Sequence, residues 1–239
     1  MKLQRKGTRH SHRGVIGVES AIVMIAFVIV AAALAFVVLN MGFTTSQKAK
    51  TTIIAGLGES SSSMQVAGKV TGVGCTSSAK GCTTPYLNAT AYPIKISSGG
   101  DSVDLQVATT AVKYVSNSVE YDDIYAGPIT AAEYRSLALA FTQATAEAGS
   151  DFDAFNGDVH PISGTVPSST KAFVYWSVRT NTNAILDQGE HAVLAIGFAS
   201  SDRPAALDTI RAEIIPATGA SLSVERQVPT ITTQVVDLG

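Results

Sequence analysis

The sequence holds little of what enzymes and nucleic-acid-binding proteins usually need. Only 15% of its 239 residues are charged, and it contains four histidines. Basic and acidic residues nearly cancel to a formal charge of −2, which leaves no basic footprint for nucleic acid. The chain has no HExxH, G-x-S-x-G, P-loop or Rossmann fingerprint. These absences argue against an enzyme, a cofactor or metal site, and a nucleic-acid partner.

Cysteine is also scarce, with two residues, Cys75 and Cys82, in the loop-like stretch GVGCTSSAKGCTTP. No histidine lies near them to complete a zinc site. In an exported protein we expect a disulfide that closes this small loop, which is worth roughly 2–3 kcal/mol by the loop-entropy model. The alternative is a pair of free thiols in a reducing cell.

Polar side chains are missing altogether between Ala21 and Leu39. As a helix these residues would span about 28 Å, close to the ~30 Å hydrocarbon core of a bilayer. The preceding segment, MKLQRKGTRHSHRG, contains five Lys or Arg residues and no acid. A basic leader, then a small residue, then an apolar run is typical of a processing signal.

The candidate cleavage site, Gly14–Val15, precedes the apolar run, whereas in an ordinary secretory signal it follows. Cleavage after Arg13 and Gly14 would remove the leader and leave the apolar helix as the mature N-terminus, with Glu19 as its fifth residue. Of the 17 basic residues 12 would remain against 19 acidic ones, a mildly acidic chain that suits an exposed surface. The alternative is an uncleaved signal anchor.

This layout resembles the class III signal of type IV pilins and archaeal flagellins (archaellins). The helix continuation ALAFVVLNMGFTTSQKAKTTI, residues 33–53, is also similar to archaellins, as are PATGASLSVERQVP at 216–229 and Val-Asp-Leu at 236–238. The resemblance covers both ends of the chain and leaves residues 115–170 unmatched. It implies a structural subunit of the archaeal motility filament, which polymerises with identical copies.

Beyond the apolar helix, Thr-, Ser-, Val- and Gly-rich sequence with turns every 8–12 residues favours strands. We expect hairpins from 171–179 with 191–199 and from 210–215 with 221–226, and two strands at 91–97 and 103–107. The expected fold class is α+β, with a long N-terminal hydrophobic α-helix followed by an immunoglobulin-like antiparallel β-sandwich. The expected segments are a cleaved signal at 1–14, a filament-core helix at 15–58, a linker at 59–63 and an outer β-sandwich domain at 64–239.

One segment inside the sandwich has a helical pattern. Thr130-Ala-Ala-Glu133 is a capping-box sequence, and Leu137, Phe141 and Ala144 follow at helical spacing. We therefore expect a helical insertion near 130–149, with its helix ended by Gly149.

The assembly surface is expected on the N-terminal helix, because a helix that is apolar all round must be surrounded by lipid or by other helices. Small residues let such helices approach closely. The resemblance to pilins implies that Glu19 pairs with the N-terminal amine of a neighbouring subunit; the alternative is a charge at the membrane interface with no role. The residues expected to assemble the core are Gly17, Glu19, Ala21, Ile25, Phe27, Ala32, Phe36 and Leu39.

Two further features are candidate sites. Asn88-Ala89-Thr90 is an N-glycosylation sequon, which would make this exported chain a glycoprotein if it is used. Carboxylates at Asp187 and Glu190, and at Asp151, Asp153 and Asp158, could face a calcium ion. Neither set matches an EF-hand loop, and solvated turn residues are the favoured interpretation.

The function that the resemblance implies is therefore an archaellum subunit on the outside of the cell. Its expected partners are identical subunits, a prepilin or preflagellin peptidase, a membrane-embedded assembly platform with an ATPase motor, and the membrane before assembly. The nearest alternative is an adhesion pilin with the same assembly logic. A second alternative is an unpolymerised, single-pass surface-anchored binding domain.

Overall fold

The structure, a computed structural model, describes residues 13–61, 63–75, 85–147, 150–157, 160, 162 and 165–239. The chain divides into two compact units, one ending at Ala55 and the other running from Gly56 to Gly239. The first unit is helical. The second, called here the globular unit, contains the strands and the second helix.

Helix α1 extends from Arg13 to Ser61, 49 residues, or about 73 Å at the standard rise. It continues through Gly56-Leu57-Gly58, where we expected it to stop, and into the first residues of the expected linker. A glycine ends a helix by adopting positive φ, and Gly56 is not among the residues that do. Inside the helix a glycine only weakens it, by about 1 kcal/mol relative to alanine.

The globular unit is built from short strands and one further α-helix. In chain order these elements are β1 (Met64–Val66), β2 (Thr71–Cys75), β3 (Tyr86–Ile96), β4 (Val103–Asp104), β5 (Thr110–Ser116), β6 (Glu120–Tyr121), β7 (Tyr125–Glu133), α2 (Leu137–Ala146), β8 (Lys171–Val178), β9 (Ile185–Leu186), β10 (His191–Gly197), β11 (Thr209–Pro216), β12 (Leu222–Gln227) and β13 (Val235–Asp237). A 3-10 helix, Ser150–Phe155, follows α2.

Two main sheets are formed among the described residues. The larger has seven strands in the order β13-β2-β3-β10-β8-β7, with β1 also paired to β3; the smaller has the order β12-β11-β5-β6. The pairs are antiparallel except β7 with β8, which is parallel. The expected α+β class, with a hydrophobic helix followed by an antiparallel sandwich, is confirmed. The parallel pair is an addition that the sequence did not predict.

The larger sheet is covered on both faces, which makes three layers. On β8, Ala172, Val174 and Trp176 face the smaller sheet. The alternating residues Phe173 and Tyr175 face α2 and the 3-10 helix. A strand buried on both faces reads as a continuous apolar run instead of an alternating one, and this explains the sequence AFVYW.

An aromatic cluster lies between the larger sheet and the layer formed by α2 and the 3-10 helix. The rings of Phe141 and Phe173 are 5.0 Å apart and perpendicular, and those of Phe155 and Phe173 are 5.4 Å apart at 87°. Edge-to-face packing of this kind adds about 0.5–1.5 kcal/mol per pair to simple burial. The helical layer therefore belongs to the core of the globular unit.

The two expected hairpins are confirmed by the β8–β10 and β11–β12 pairs. The expected strands at 91–97 and 103–107 are separated by a turn at Gly99, which has φ of 84°. They do not pair with each other, because β3 lies between other long strands while β4 pairs with β9.

The start of α2 differs from the sequence prediction. Thr130 to Glu133 lie in β7 beside β8, and the helix begins at Leu137 with Ser136 as its N-cap. The Ser136 hydroxyl accepts a hydrogen bond from the Leu139 N–H at 3.3 Å. Pairing with a buried strand outweighed the local capping motif, which contributes only about 1 kcal/mol. Gly149, the expected helix stop, lies outside the described residues.

Candidate assembly surface

The surface of α1 is apolar and uncovered. Every described side chain from Gly17 to Leu57 is exposed, including Phe27 at 77% and Phe36 at 71%. This stretch of 41 residues is long and apolar enough to cross a membrane, by length and composition. Burying one large apolar side chain is worth about 1.5–3 kcal/mol, so this surface favours any apolar surroundings over water.

The residues expected to assemble the core fall into two groups around the helix. At about 100° per residue, Gly17, Ala21, Ile25, Ala32, Phe36 and Leu39 lie within one arc of about 100°. Glu19 and Phe27 lie outside that arc. A Cβ added at Gly17 would meet nothing within 4 Å. A single neighbour therefore cannot contact the whole set, and at least two neighbours are needed to cover it.

The second half of α1 carries threonines whose hydroxyls are already hydrogen-bonded. Thr45 donates to the Met41 carbonyl at 2.8 Å, and Thr51 and Thr52 each donate to the Lys48 carbonyl at 2.9 Å. Thr44 donates in the same way to Asn40 and Met41. A hydroxyl satisfied inside its own helix can be buried without losing a partner. This part of α1 is therefore also suited to packing against other helices, which its mixed sequence alone did not indicate.

The expected cleavage site lies at the beginning of α1. Arg13, Gly14 and Val15 have helical backbone. The basic leader as far as His12 lies outside the described residues, so the site's accessibility stays a prediction.

Cys75, at the end of β2, is 2% exposed and disulfide-bonded. Cys82, the partner predicted for it, lies outside the described residues.

Asn88 lies within β3 and is only 4% exposed. Its side-chain oxygen faces the Arg203 guanidinium, with 3.5 Å between Oδ1 and Nη1. An oligosaccharyl group on the nitrogen of a side chain buried in a central strand would displace its neighbours. The position therefore does not favour glycan attachment to the folded unit, contrary to the expectation from the sequon.

The carboxylates considered for calcium have structural partners. Glu190 is 1% exposed. It accepts hydrogen bonds from Trp176 Nε1 at 3.1 Å and from the N–H groups of Thr180, Asn181 and Asp187 at 2.7, 3.2 and 3.2 Å. This carboxylate therefore holds the loop between β8 and β10 in place of a cation. Sequence reasoning missed that role, because the donors are recognisable only once the hairpin is formed.

The described residues of the other set of carboxylates, Asp151 and Asp153, do not form a cation site. Asp153 accepts a hydrogen bond from the Asn156 side chain at 2.9 Å, and Asp158 lies outside the described residues. Within the described part of the chain, no three His, Cys, Asp or Glu side chains are grouped as a metal ion would require.

A second buried carboxylate, Asp202, was not singled out from the sequence. It accepts hydrogen bonds from the hydroxyls of Thr170 at 2.7 Å, Ser201 at 2.7 Å and Tyr121 at 2.9 Å. Burial alone raises the pKa of Asp202, but the three hydroxyls together lower it below its ordinary value. The network joins the ends of β6, β8 and β10 and has a structural role.

Comparison with known proteins places the chain among filament proteins. The model of the archaeal-type flagellin family matches residues 14–226. "Probable flagellin 1" of Aeropyrum pernix is 33% identical over 91% of this chain and 92% of its own length. Flagellin FlaB2 of Saccharolobus shibatae is 32% identical over 58% of this chain and 44% of its own length.

Two solved structures share the fold. The archaeal flagellum of Methanospirillum hungatei has a TM-score of 0.56 and 23% identity, and covers 93% of this chain and 99% of its own. The crystal structure of flagellin FlaB1 from Methanocaldococcus jannaschii has a TM-score of 0.53 and 15% identity. It covers 73% of this chain and 95% of its own. At these identities the likeness concerns the fold alone.

Proposed function

The chain belongs to the archaeal-type flagellin family, and from that premise we propose that it polymerises through α1 into a filament whose core is a bundle of these helices. Members of this family are structural subunits, so the chain is a structural filament subunit of the archaellum and not an enzyme.

The observation that carries the proposal is the uncovered surface of α1. The described side chains from Gly17 to Leu57 are exposed on all sides of the helix. A helix that is apolar all round is stable only when it is surrounded. Copies of the same helix supply such surroundings on several sides at once, and the small residues Ala31 to Ala33 and Ala35 allow close approach.

Before assembly, the bilayer would take the place of these neighbours. The length of α1 suits a single span, and the basic leader would hold the Gly14–Val15 bond on the cytoplasmic side. We expect a prepilin-type peptidase to cut there. The match to the family model begins at Gly14, the residue on the leader side of this bond.

Cleavage would then release the helix from the leader's charges, so that it can leave the bilayer. A membrane-embedded assembly platform and a separate ATPase motor are the expected partners of this step. The globular unit would face outward on an extracellular filament and pack against its neighbours. Contacts between different patches of identical subunits do not close on themselves, and they generate an open helical polymer.

The test is the intact mass of subunits in filaments sheared from cells, together with a cryo-electron microscopy map of the same material. We expect a mass that begins at Val15 and a map with α1 helices packed together at the centre. Subunits that retain Met1–Gly14, or a filament core without α1, would contradict the proposal.

A further inference from the structure

Charged residues are nearly absent from the assembly surface. Between Gly17 and Leu57 they are Glu19, Lys48 and Lys50, and all three are exposed in the single chain. If copies of α1 cover this surface, as the proposed function requires, each charge loses water. An unpaired charge in an apolar bundle is strongly unfavourable, whereas an ion pair offsets much of that cost. The acid of one copy should therefore meet a base of another.

The helix geometry distinguishes between the two lysines. Two parallel copies of α1 that are related mainly by a shift along the axis, with little rotation, present opposite faces to each other, so residues that meet across their contact lie about 180° apart around one helix. Glu19 and Lys50 are 31 residues apart, which is about 46 Å along the axis and about 220° around it. Glu19 and Lys48 are 29 residues apart, which is about 20° around the axis. Lys50 is on the face opposite Glu19, whereas Lys48 shares its face.

The surroundings of Lys50 also suit burial. The hydroxyls of the next two residues, Thr51 and Thr52, are bonded to the Lys48 carbonyl, so they do not compete for the carboxylate. The four-carbon stem of a lysine can lie along apolar surface while its ammonium group reaches a partner.

We propose that Glu19 of one copy pairs with Lys50 of a neighbouring copy, displaced by about 46 Å along the helix axis. The pair favours one axial stagger between these two copies, because sliding one helix along the other would separate the two charges inside an apolar bundle. The N-terminal amine expected as the partner of Glu19 from the pilin resemblance is then not its main partner. This inference rests on the proposed assembly through α1.

Charge reversal tests the pair in cells whose filaments are built from this chain. Glu19→Lys alone and Lys50→Glu alone should each lower the yield of sheared filament at least about tenfold, because like charges then meet inside the bundle. The double variant Glu19→Lys with Lys50→Glu should recover most of the yield. These positions lie outside the core of the globular unit, so its folding is unaffected.

Lys48 is the matched control, because it has the same charge and nearly the same position along the helix. Glu19→Lys with Lys48→Glu should not recover the yield. The inference would be overturned if Glu19→Lys with Lys48→Glu recovered the yield, or if Glu19→Lys with Lys50→Glu did not. It would also be overturned if Lys50→Glu alone gave a normal yield. Normal filaments that begin at Val15 in that last case would leave the proposed function intact.

A second measurement does not depend on how the peptidase treats a lysine at position 19. Glu19→Cys combined with Lys50→Cys should, with added oxidant, give a ladder of covalently linked subunits on a non-reducing gel, because each chain is joined to a different neighbour at each end. Glu19→Cys with Lys48→Cys should give no ladder. A ladder from the Lys48 combination alone, or from neither, would overturn the stagger.

Discussion

Phe27 and Phe173 both lie in regular secondary structure within apolar sequence, yet Phe27 is 77% exposed and Phe173 is fully buried. Phe173 packs between the larger sheet and the helical layer, with all of these neighbours supplied by the same chain. Phe27 lies on a helix whose described side chains are uncovered on every side. The globular unit completes its core alone, whereas in the proposed filament α1 is one element of a core that other copies complete. Fold stability and assembly are thereby assigned to different residues.

The largest effect is expected when the chain is divided at the boundary between the two units. Both core clusters of the globular unit consist of residues from Met64 onward, so the fragment Gly56–Gly239 should fold alone. We expect a cooperative thermal transition by circular dichroism, and a monomer by analytical ultracentrifugation, with no filaments at any concentration tested. A fragment that unfolds, or that still polymerises, would show that the two roles are not separated.

A matched pair of substitutions sharpens the comparison. Phe173→Ala should destabilise the Gly56–Gly239 fragment by about 3–5 kcal/mol, because it leaves a cavity in a close-packed layer. Phe36→Ala in the full chain should leave the denaturation of the globular unit unchanged and should reduce the yield of filament. Chemical denaturation and sheared-filament yield measure the two effects. Equal losses of stability from both substitutions would contradict the division of roles.

A smaller effect appears at high pH. Burial raises the pKa of Tyr92 and of Tyr175 to about 12, from an ordinary value of 10.0. Between pH 10 and 12 the unfolded chain loses these protons while the folded chain keeps them, so stability is fully present below pH 10 and is lost as pH rises towards 12. The expected slope is about 1.4 kcal/mol per pH unit for each tyrosine.

Denaturation of the Gly56–Gly239 fragment across this range measures that slope, and Tyr92→Phe is the control that should make it shallower. Helix α1 contains no tyrosine, so this titration acts on the globular unit alone. A stability that is flat from pH 9 to 12 would contradict the expected protonation of the core tyrosines.

The sequence was most informative where a pattern is local and long. The absence of polar residues from Ala21 to Leu39 predicted α1, and apolar runs on either side of polar turn sequences predicted the β8–β10 and β11–β12 hairpins. It was least informative where a local motif competes with distant partners. Thr130 to Glu133 have a helix-capping sequence, yet they lie in β7, where Glu133 is paired with Trp176 of β8 and the next N–H, of Tyr134, donates to the Trp176 carbonyl.

The same contrast holds for individual polar residues. Asn88 is part of a sequon, but the strand that contains it lies between β2 and β10, and its side chain is buried. Glu190 and Asp202 look like turn carboxylates in the sequence. The donors to Glu190 lie up to 14 positions away and those to Asp202 up to 81, and no local pattern indicates these separations.

The sequence by itself therefore determined the helix, its wholly apolar surface, the positions of its few charges and the family to which the chain belongs, since each depends on neighbours along the chain. Only the tertiary structure decided that the larger sheet is covered on both faces, that α2 begins after β7, and that the sequon is buried. Those features depend on which distant segments pack together, and burial then selects among the local alternatives. In the proposed filament the corresponding neighbours of α1 would lie in other copies of the chain, and the Glu19–Lys50 pairing is the contact by which we expect them to be recognised.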